Sequence, residues 1–409
     1  MNIGIVTAWL ERGAAYVSNA YFETLSRKHN VFIYARGAEK YAKGDQKWDK
    51  EYVTWGKRIP WKINTYVDWK DFKKWKLKNN LEIIIFNEQH SWEIILKTLM
   101  EMEVIIGAYV DFYLSGTVPF FKFYDFLLCN TMRHYSVFKD HPQAFYIPWG
   151  TDTDMYKYRV KDGTCNGVTF FHSCGMSPLR KGTDILVRAF QQVKGNAKLV
   201  IHSQGAFDEH PSTASIVAKD SRIELIRAEV SAPGLYHLGD VYVYPTRLEG
   251  IGLTIAEALA SGLPVITTNA PPMNEFVVHD LNGKLVDVER YQKGYYYWPE
   301  SICSENALTE AMQFYVDNIN NLKDYKYLAR KYAEDNLDWQ KNSCNLPDLL
   351  ESVSPNLQRL DRDLVAAAEK YESSRYNYPY MPEFLRTFLH KAGAGQVKEF
   401  LERISLDKK

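Results

Sequence analysis

Two carboxylates, Glu249 and Glu257, bracket a helix start in the run V-Y-V-Y-P-T-R-L-E-G-I-G-L-T-I-A-E-A-L-A-S-G-L-P-V-I, residues 241–266. The loop Glu249-Gly250-Ile251-Gly252 puts little side chain in the way, so the backbone N–H groups opening the helix at about Leu253 can point at an anion. A diphosphate suits such a cradle. A second charged pair, Arg180-Lys181, stands just before another helical pattern. Cations there oppose the helix dipole, which is a sign of an anion nearby. The plain alternatives stay open at this point: a glycine loop before an amphipathic helix occurs in many α/β proteins, and Arg180 and Lys181 would also serve as a solvated helix start.

The elements that must hold these residues are short apolar runs alternating with helical patterns, the order of parallel sheets covered by helices on both faces. In the first half the expected strands are 3–7, 31–34, 83–86, 104–108, 126–129 and 144–147, with a first helix over 15–27. In the second half they are 167–172, 198–202, 222–226, 241–244, 265–267 and 283–286, and Gly262 with Pro264 stops the helix after Glu257. Two Rossmann-like halves fit this order. The loop after the first strand, A-W-L-E-R-G-A-A, lacks G-x-G-x-x-G, which argues against a dinucleotide dehydrogenase. The run Cys174–Thr183 resembles a phosphate-binding P-loop only superficially, because Arg180 stands where the second glycine is required and Gly182 separates lysine from threonine.

A chain of 409 residues with 46% hydrophobic side chains holds two or three domains. Fifty basic and fifty acidic residues cancel, so no global field recruits nucleic acid, and no nucleic-acid partner is expected. Five cysteines without C-x-x-C spacing argue against a disulfide framework or a structural zinc. The N-terminus M-N-I-G-I-V-T reads as a buried strand and not as a signal peptide, and no apolar stretch reaches the ~18–20 residues of a membrane span. A cytoplasmic location is the expectation.

The segment 249–257 resembles the E-x(7)-E signature of retaining glycosyltransferases of the GT-B fold, the large group 1, family 4 type. The resemblance extends to Pro148-Trp149-Gly150-Thr151-Asp152-Thr153-Asp154-Met155-Tyr156 against P-N-G-V-D-x-x-x-F, to Arg180-Lys181-Gly182-Thr183-Asp184 against R-K-G-x-D, and to Asn282-Gly283-Lys284-Leu285-Val286 against N-G-x-L-V. It covers about residues 1–345. It implies an α/β GT-B fold of two Rossmann-like domains facing across a cleft: an acceptor domain over 1–155, a donor domain over 160–340, and a helical extension over 341–409 packing back on the body.

The implied activity is retaining, metal-independent transfer of a hexose from a UDP- or GDP-sugar to a glycan or lipid-linked acceptor in cell-surface glycoconjugate synthesis, with no cofactor. A GT-B sugar-nucleotide epimerase and a non-catalytic glycan- or nucleotide-binding module are the alternatives. By the resemblance, Glu249 lies near the donor sugar and Glu257 accepts from the ribose hydroxyls. Lys181, Arg180 and the N–H groups of Gly250, Ile251, Gly252 and Leu253 face the leaving diphosphate. A preorganised donor is worth ~3–4 kcal/mol against ~0.3–2 for the dipole, so lysine matters most. Asp111, after a middle strand of the first half, is the candidate on the acceptor side, with His90 a second; Gly13 stands in place of one glycine of a G-G pair, and Arg227 and Glu229 are candidates for the base pocket.

Departures from the family are the missing arginine in Phe171-His172-Ser173-Cys174-Gly175 and the prolines of Asn269-Ala270-Pro271-Pro272-Met273-Asn274-Glu275, which remove N–H donors where glycines are usual. Asp152-Thr153-Asp154 spells D-x-D, but its place in the linker turn makes Asp152 a turn former, and no metal is expected. Residues 57–78 carry eight basic and two acidic side chains among aromatics. Such a helix could lie on an anionic membrane. Tyr66, Trp69, Phe72 and Trp75 also recur at three-residue steps, and packing on a sheet is the stronger reading. Past Trp339, apolar stripes at Leu357, Leu360, Leu364, Ala367 and Tyr371, and at Phe384, Leu385, Phe388 and Leu389, are expected to pack on the body or on a second subunit. Tyr295–Trp298 reads as an acceptor platform or a docking surface for that tail.

Overall fold

The computed structural model describes residues 1–58, 65–158, 167–205, 211–356 and 359–375. Trp61, most of the linker after Lys157, Leu357 and the stripe from Phe384 to Leu389 lie outside the described residues. The first sheet has seven strands in the order β3-β2-β1-β4-β5-β6-β7. They are β1 (Asn2–Thr7), β2 (Asn30–Ala35), β3 (Val53–Trp55), β4 (Ile83–Asn87), β5 (Ile105–Val110), β6 (Phe126–Cys129) and β7 (Ala144–Tyr146). The second has six in the order β10-β9-β8-β11-β12-β13. These are β8 (Val168–Gly175), β9 (Ala197–Ser203), β10 (Ile223–Arg227), β11 (Val241–Tyr244), β12 (Val265–Thr268) and β13 (Gly283–Val286). A hairpin of β14 (Val288–Gln292) and β15 (Glu300–Cys303) stands apart.

Helices α1 (Gly13–Leu25), α2 (Trp69–Lys78), α3 (Trp92–Glu101) and α4 (Met132–Phe138) accompany the first sheet in sequence. The second is accompanied by α5 (Thr183–Gln192), α6 (Pro211–Lys219), α7 (Leu253–Ala260), α8 (Glu305–Asp317) and α9 (Leu322–Asn336); the short α10 (Trp339–Asn342) and α11 (Leu346–Ser352) follow, and then the longer α12 (Arg362–Arg375). Strand pairings β1–β2, β1–β4, β4–β5 and all those of the second sheet are parallel. Their central strands are buried on both faces, and so read as unbroken apolar runs such as Ile83-Ile84-Ile85-Phe86.

The chain divides into two compact units: residues 1–109 and 117–127 with the described tail from Glu351 on, and residues 110–116 with 128–350. In the first, Phe72 and Trp75 of α2 are buried against Tyr34, and Phe72 also meets Phe86, so these aromatics are core, while Lys70, Lys74, Leu77 and Lys78 stay exposed. The tail docks here. The buried Asp125 carboxylate accepts the Asn356 N–H at 2.7 Å and pairs with Arg359, and Glu372 of α12 accepts the Trp92 N–H at 3.0 Å where α3 begins. In the second unit Phe170, Leu186, Phe190, Leu199, Val243 and Met312 belong to one core under the six-stranded sheet.

The sequence pattern gives no sign of β3 or of the β14–β15 hairpin. Val288-Glu289-Arg290-Tyr291-Gln292 is almost wholly exposed and carries no apolar alternation to read.

Candidate functional site: a buried cation–carboxylate cluster at the second sheet's switch point

Chain order in the second sheet runs from β8 to β9 and β10 on one side, then resumes with β11 to β13 on the other. The carboxyl ends of β8 and β11 are therefore the topological switch point, where open α/β sheets bind ligands. The loops leaving these two ends carry Lys181 and Glu249. Alternation along β11 puts Tyr242 and Tyr244 on one face, both fully buried, and Val243 on the other.

Lys181 donates to Glu249 Oε1 at 2.6 Å and to the Tyr244 hydroxyl. The same oxygen accepts from Thr246 at 2.7 Å and from Tyr244 at 2.9 Å, and Arg180 Nη1 lies 3.2 Å away. Four donors thus converge on Oε1, whereas among the described residues none reaches Oε2. Burial works to raise the Glu249 pKa, but the charges of Lys181 and Arg180 outweigh it and hold the carboxyl at about 2. Burial, with Arg180 adding to it, lowers the Lys181 ammonium to about 8 against the pull of Glu249. At neutral pH both are charged.

The loop bearing Lys181 is pinned from beneath. Arg247 forms a two-pronged pair with Asp184 in the first turn of α5, both contacts at 2.8 Å, and also donates to the Leu179 carbonyl. Its own N–H donates to the Arg180 carbonyl at 2.8 Å. His172 on β8 donates through Nδ1 to the Val243 carbonyl, so its Nε2 must accept from the Thr183 hydroxyl; both contacts are 2.8 Å. Burial keeps this imidazole neutral, with its pKa lowered to about 4.

On the other loop, Gly252 has φ +92° and caps α7, a backbone that L side chains rarely adopt. Its neighbour Gly250 is crowded by Asp111: a Cβ there would lie 2.7 Å from Asp111 Oδ2. Gly250, Ile251, Gly252, Leu253 and Asp111 are therefore gathered within reach of Glu249. One turn into α7, half-buried Glu257 accepts from the Tyr236 hydroxyl at 2.6 Å. Burial raises its pKa, opposed by hydrogen bonds from Tyr236 and Tyr156.

The remaining sequence candidates lie on other elements. Gly13 opens α1 and His90 follows β4, where its N–H donates to Thr65 Oγ1 at 3.1 Å; both belong to the first unit. Arg227 ends the edge strand β10, two strands from β8, and is exposed, as is Glu229. Asp152 Oδ1 accepts the N–H groups of Asp154 and Met155, both at 2.9 Å, which is a turn-forming role.

Sequence reasoning missed Arg133 and His134, the second and third residues of α4. Arg133 donates to the Pro271 carbonyl at 2.9 Å and to the Glu249 carbonyl, and His134 Nε2 contacts the Gly250 carbonyl at 2.8 Å. Glu275 accepts the N–H groups of Met132 and Arg133 at 2.6 and 2.9 Å. The sole signal for this pair was its place after the carboxyl end of a strand.

Residues 168–294 match the family model described as glycosyl transferases group 1. Among curated proteins the chain is 24% identical over 246 residues to the GtfA subunit of the UDP-N-acetylglucosamine–peptide N-acetylglucosaminyltransferase of Streptococcus agalactiae, covering 58% of this chain and 47% of that protein. The chain spans about half the length of the curated relatives it matches first. Among solved structures, sucrose-phosphate synthase from Thermosynechococcus elongatus superposes with TM-score 0.67 at 16% identity, covering 86% of this chain and 98% of the other. Anabaena HepE in complex with UDP and glucose gives the same TM-score, 0.67, at 16% identity, covering 86% and 100%. The fold is GT-B, and residues 168–294 of the second unit match a group 1 glycosyl transferase domain.

Proposed function

We propose that the chain is a retaining, metal-independent hexosyltransferase that moves a sugar from a UDP- or GDP-hexose to a glycan or lipid-linked acceptor in the making of a cell-surface glycoconjugate. The observation that carries this reading is the Lys181–Glu249 pair, held with Arg180 beside the N-terminus of α7 at the switch point of the second sheet.

The chemistry needs a nucleoside diphosphate to leave and an electron-poor anomeric carbon to be supported. Lys181, Arg180 and the N–H groups at 250–253 are the positive ends available to the departing phosphate. Glu249, gripped through Oε1, keeps Oε2 for the donor sugar. Glu257 is placed for the ribose. In the transfer the bond from the anomeric carbon to phosphate oxygen breaks, that to the acceptor oxygen forms on the same face, and the acceptor proton passes to the leaving phosphate. No protein nucleophile is required. Cofactor independence follows from the same assignment, since the protein's own cations meet the phosphate charge. HepE bound to UDP and the UDP-N-acetylglucosamine-using GtfA support a UDP donor. The exposed lysines of α2 suit peripheral contact with an anionic membrane on the cytoplasmic side, where a lipid-linked acceptor would be met.

The test is incubation of the protein with UDP-, GDP- and ADP-sugars and measurement of nucleotide release. Release insensitive to EDTA is expected for at least one donor; failure to bind any nucleotide overturns the proposal.

A further inference from the structure

The carbonyls of the phosphate-side loop are not left to solvent. Glu249 C=O receives the Arg133 guanidinium and Gly250 C=O receives His134 Nε2 at 2.8 Å. A carbonyl has no proton to give, so Nε2 carries the hydrogen and Nδ1 is the acceptor. Nδ1 lies 2.9 Å from the Tyr113 hydroxyl, which must therefore donate to it. The phenol oxygen in turn accepts the Trp298 indole N–H at 2.7 Å, and an indole can only donate. The direction of every bond from Trp298 through Tyr113 and His134 to Gly250 is thus fixed.

A planar trans peptide turns the C=O of one residue and the N–H of the next to opposite sides. Holding the Glu249 carbonyl against Arg133 aims the Gly250 N–H away from α4, and holding the Gly250 carbonyl against His134 does the same for the Ile251 N–H. Glycine at 250 and at 252 would otherwise leave these peptide planes free to rotate. Arg133 is itself immobilised: it is buried, bound to the Pro271 carbonyl at 2.9 Å, and lies 5.4 Å from the Trp298 ring centre. Glu275, which accepts the N–H groups of Met132 and Arg133, fixes the start of α4.

We propose that Arg133 and His134 are positioning residues that orient the Gly250 and Ile251 N–H groups toward the donor diphosphate, and that Tyr113 and Trp298 set the His134 tautomer that makes this orientation stable. The inference rests on the donor site assigned above to residues 249–253. It gives the aromatic segment Tyr295–Trp298, exposed at its three tyrosines, a role through its half-buried last residue, whose indole ends the chain of hydrogen bonds.

The experiment measures UDP affinity by calorimetry, and kcat with KM for donor and acceptor, in the full chain and in four variants. His134→Ala removes the donor to Gly250. His134→Gln keeps a side-chain N–H able to reach the carbonyl. Tyr113→Phe and Trp298→Phe break the chain further out without touching the loop. His134→Ala is expected to weaken UDP binding and lower kcat by on the order of tenfold, less than the ~10²–10³ lost in kcat when a charge-stabilising donor is deleted outright, since the N–H is misaimed and not removed.

His134→Gln should recover most of that loss, and the two outer variants should show a smaller loss of the same kind, with acceptor KM unchanged. Amide exchange at Ile251 should speed up in His134→Ala. Wild-type binding of UDP with unchanged affinity and kcat in His134→Ala overturns the positioning role while leaving the donor site standing. Equal loss in the alanine and glutamine variants overturns it too, because a merely structural histidine gives that result. If His134→Ala does not fold, the Gln, Tyr113→Phe and Trp298→Phe variants decide, and wild-type affinity in all three rejects the proposal. No UDP binding by the wild type removes the donor site and this inference with it.

Discussion

Lys181 is charged in the resting protein with little to spare. Burial holds its ammonium at about 8, against an ordinary lysine value of ~10.4. The phosphate it is assigned to grip is already ionised at neutral pH, having a second pKa of about 6. Raising the pH through about 8 therefore strips the proton from the lysine and leaves the ligand as it was. UDP affinity is expected to fall above pH 8, approaching tenfold per unit, and Lys181→Arg should abolish that dependence because guanidinium does not titrate there. Calorimetry between pH 7 and 9.5 checks both, and a flat wild-type profile would remove Lys181 from the binding step. Lys181→Ala goes further, leaving Glu249 with Arg180 as its single cation within 4 Å among the described residues. Its kcat should drop by ~10²–10³, the loss typical of a deleted charge-stabilising donor, in steady-state assays.

At the scale of elements, the loop entering α7 depends on one unusual backbone. Gly252 at φ +92° ends the loop and lets the next residues begin the helix. Gly252→Ala would force an L side chain toward the left-handed region at a cost of roughly 1–2 kcal/mol, and its Cβ would meet Ile255 Cδ1 at 3.3 Å. The expected result is a melting temperature lower by about 2–8 °C together with weaker UDP binding; loss of stability alone would mean the loop does not hold the ligand.

This loop was legible from residues alone, because glycines before an amphipathic helix mark a turn and an N–H cluster at once. So were the two sheets, whose buried strands announce themselves as apolar runs. The residues that fix the loop's orientation were not legible. Arg133 and His134 lie more than a hundred positions earlier in the chain, and a short N-T-M-R-H stretch after a strand looks the same whether it faces water or a carbonyl. The Tyr242–Tyr244 face of β11 was equally silent, since alternation with valine gives the period but not which face receives a lysine.

For the whole molecule, the two units answer to different stresses. The first is closed by the tail: Arg359 pairs with Asp125, which is fully buried and also accepts the Ile106 N–H at 2.8 Å. Arg359→Ala should remove the cation paired with that buried carboxylate and cost on the order of 3–5 kcal/mol, seen as faster hydrogen exchange in residues 83–127 and not in 168–345. The second unit answers to acid. Burial, with Arg133 adding to it, pushes the His134 pKa down to about 3, and burial lowers His172 to about 4. An unfolded histidine titrates near ~6.5, so between that pH and about 4 the unfolded chain binds two protons that the folded unit refuses. Stability is therefore expected to fall as the pH is lowered below about 6.5, well before Glu249, held at about 2, begins to contribute its own loss below the ~4.3 of a free glutamate. Segment-resolved exchange at pH 7, 5.5 and 4.5 would show opening concentrated around β8, β11 and α4, and His134→Gln, which cannot take up a proton, should make that pH slope shallower. A slope unchanged by this substitution would mean that His134 is not among the groups through which acid opens the unit.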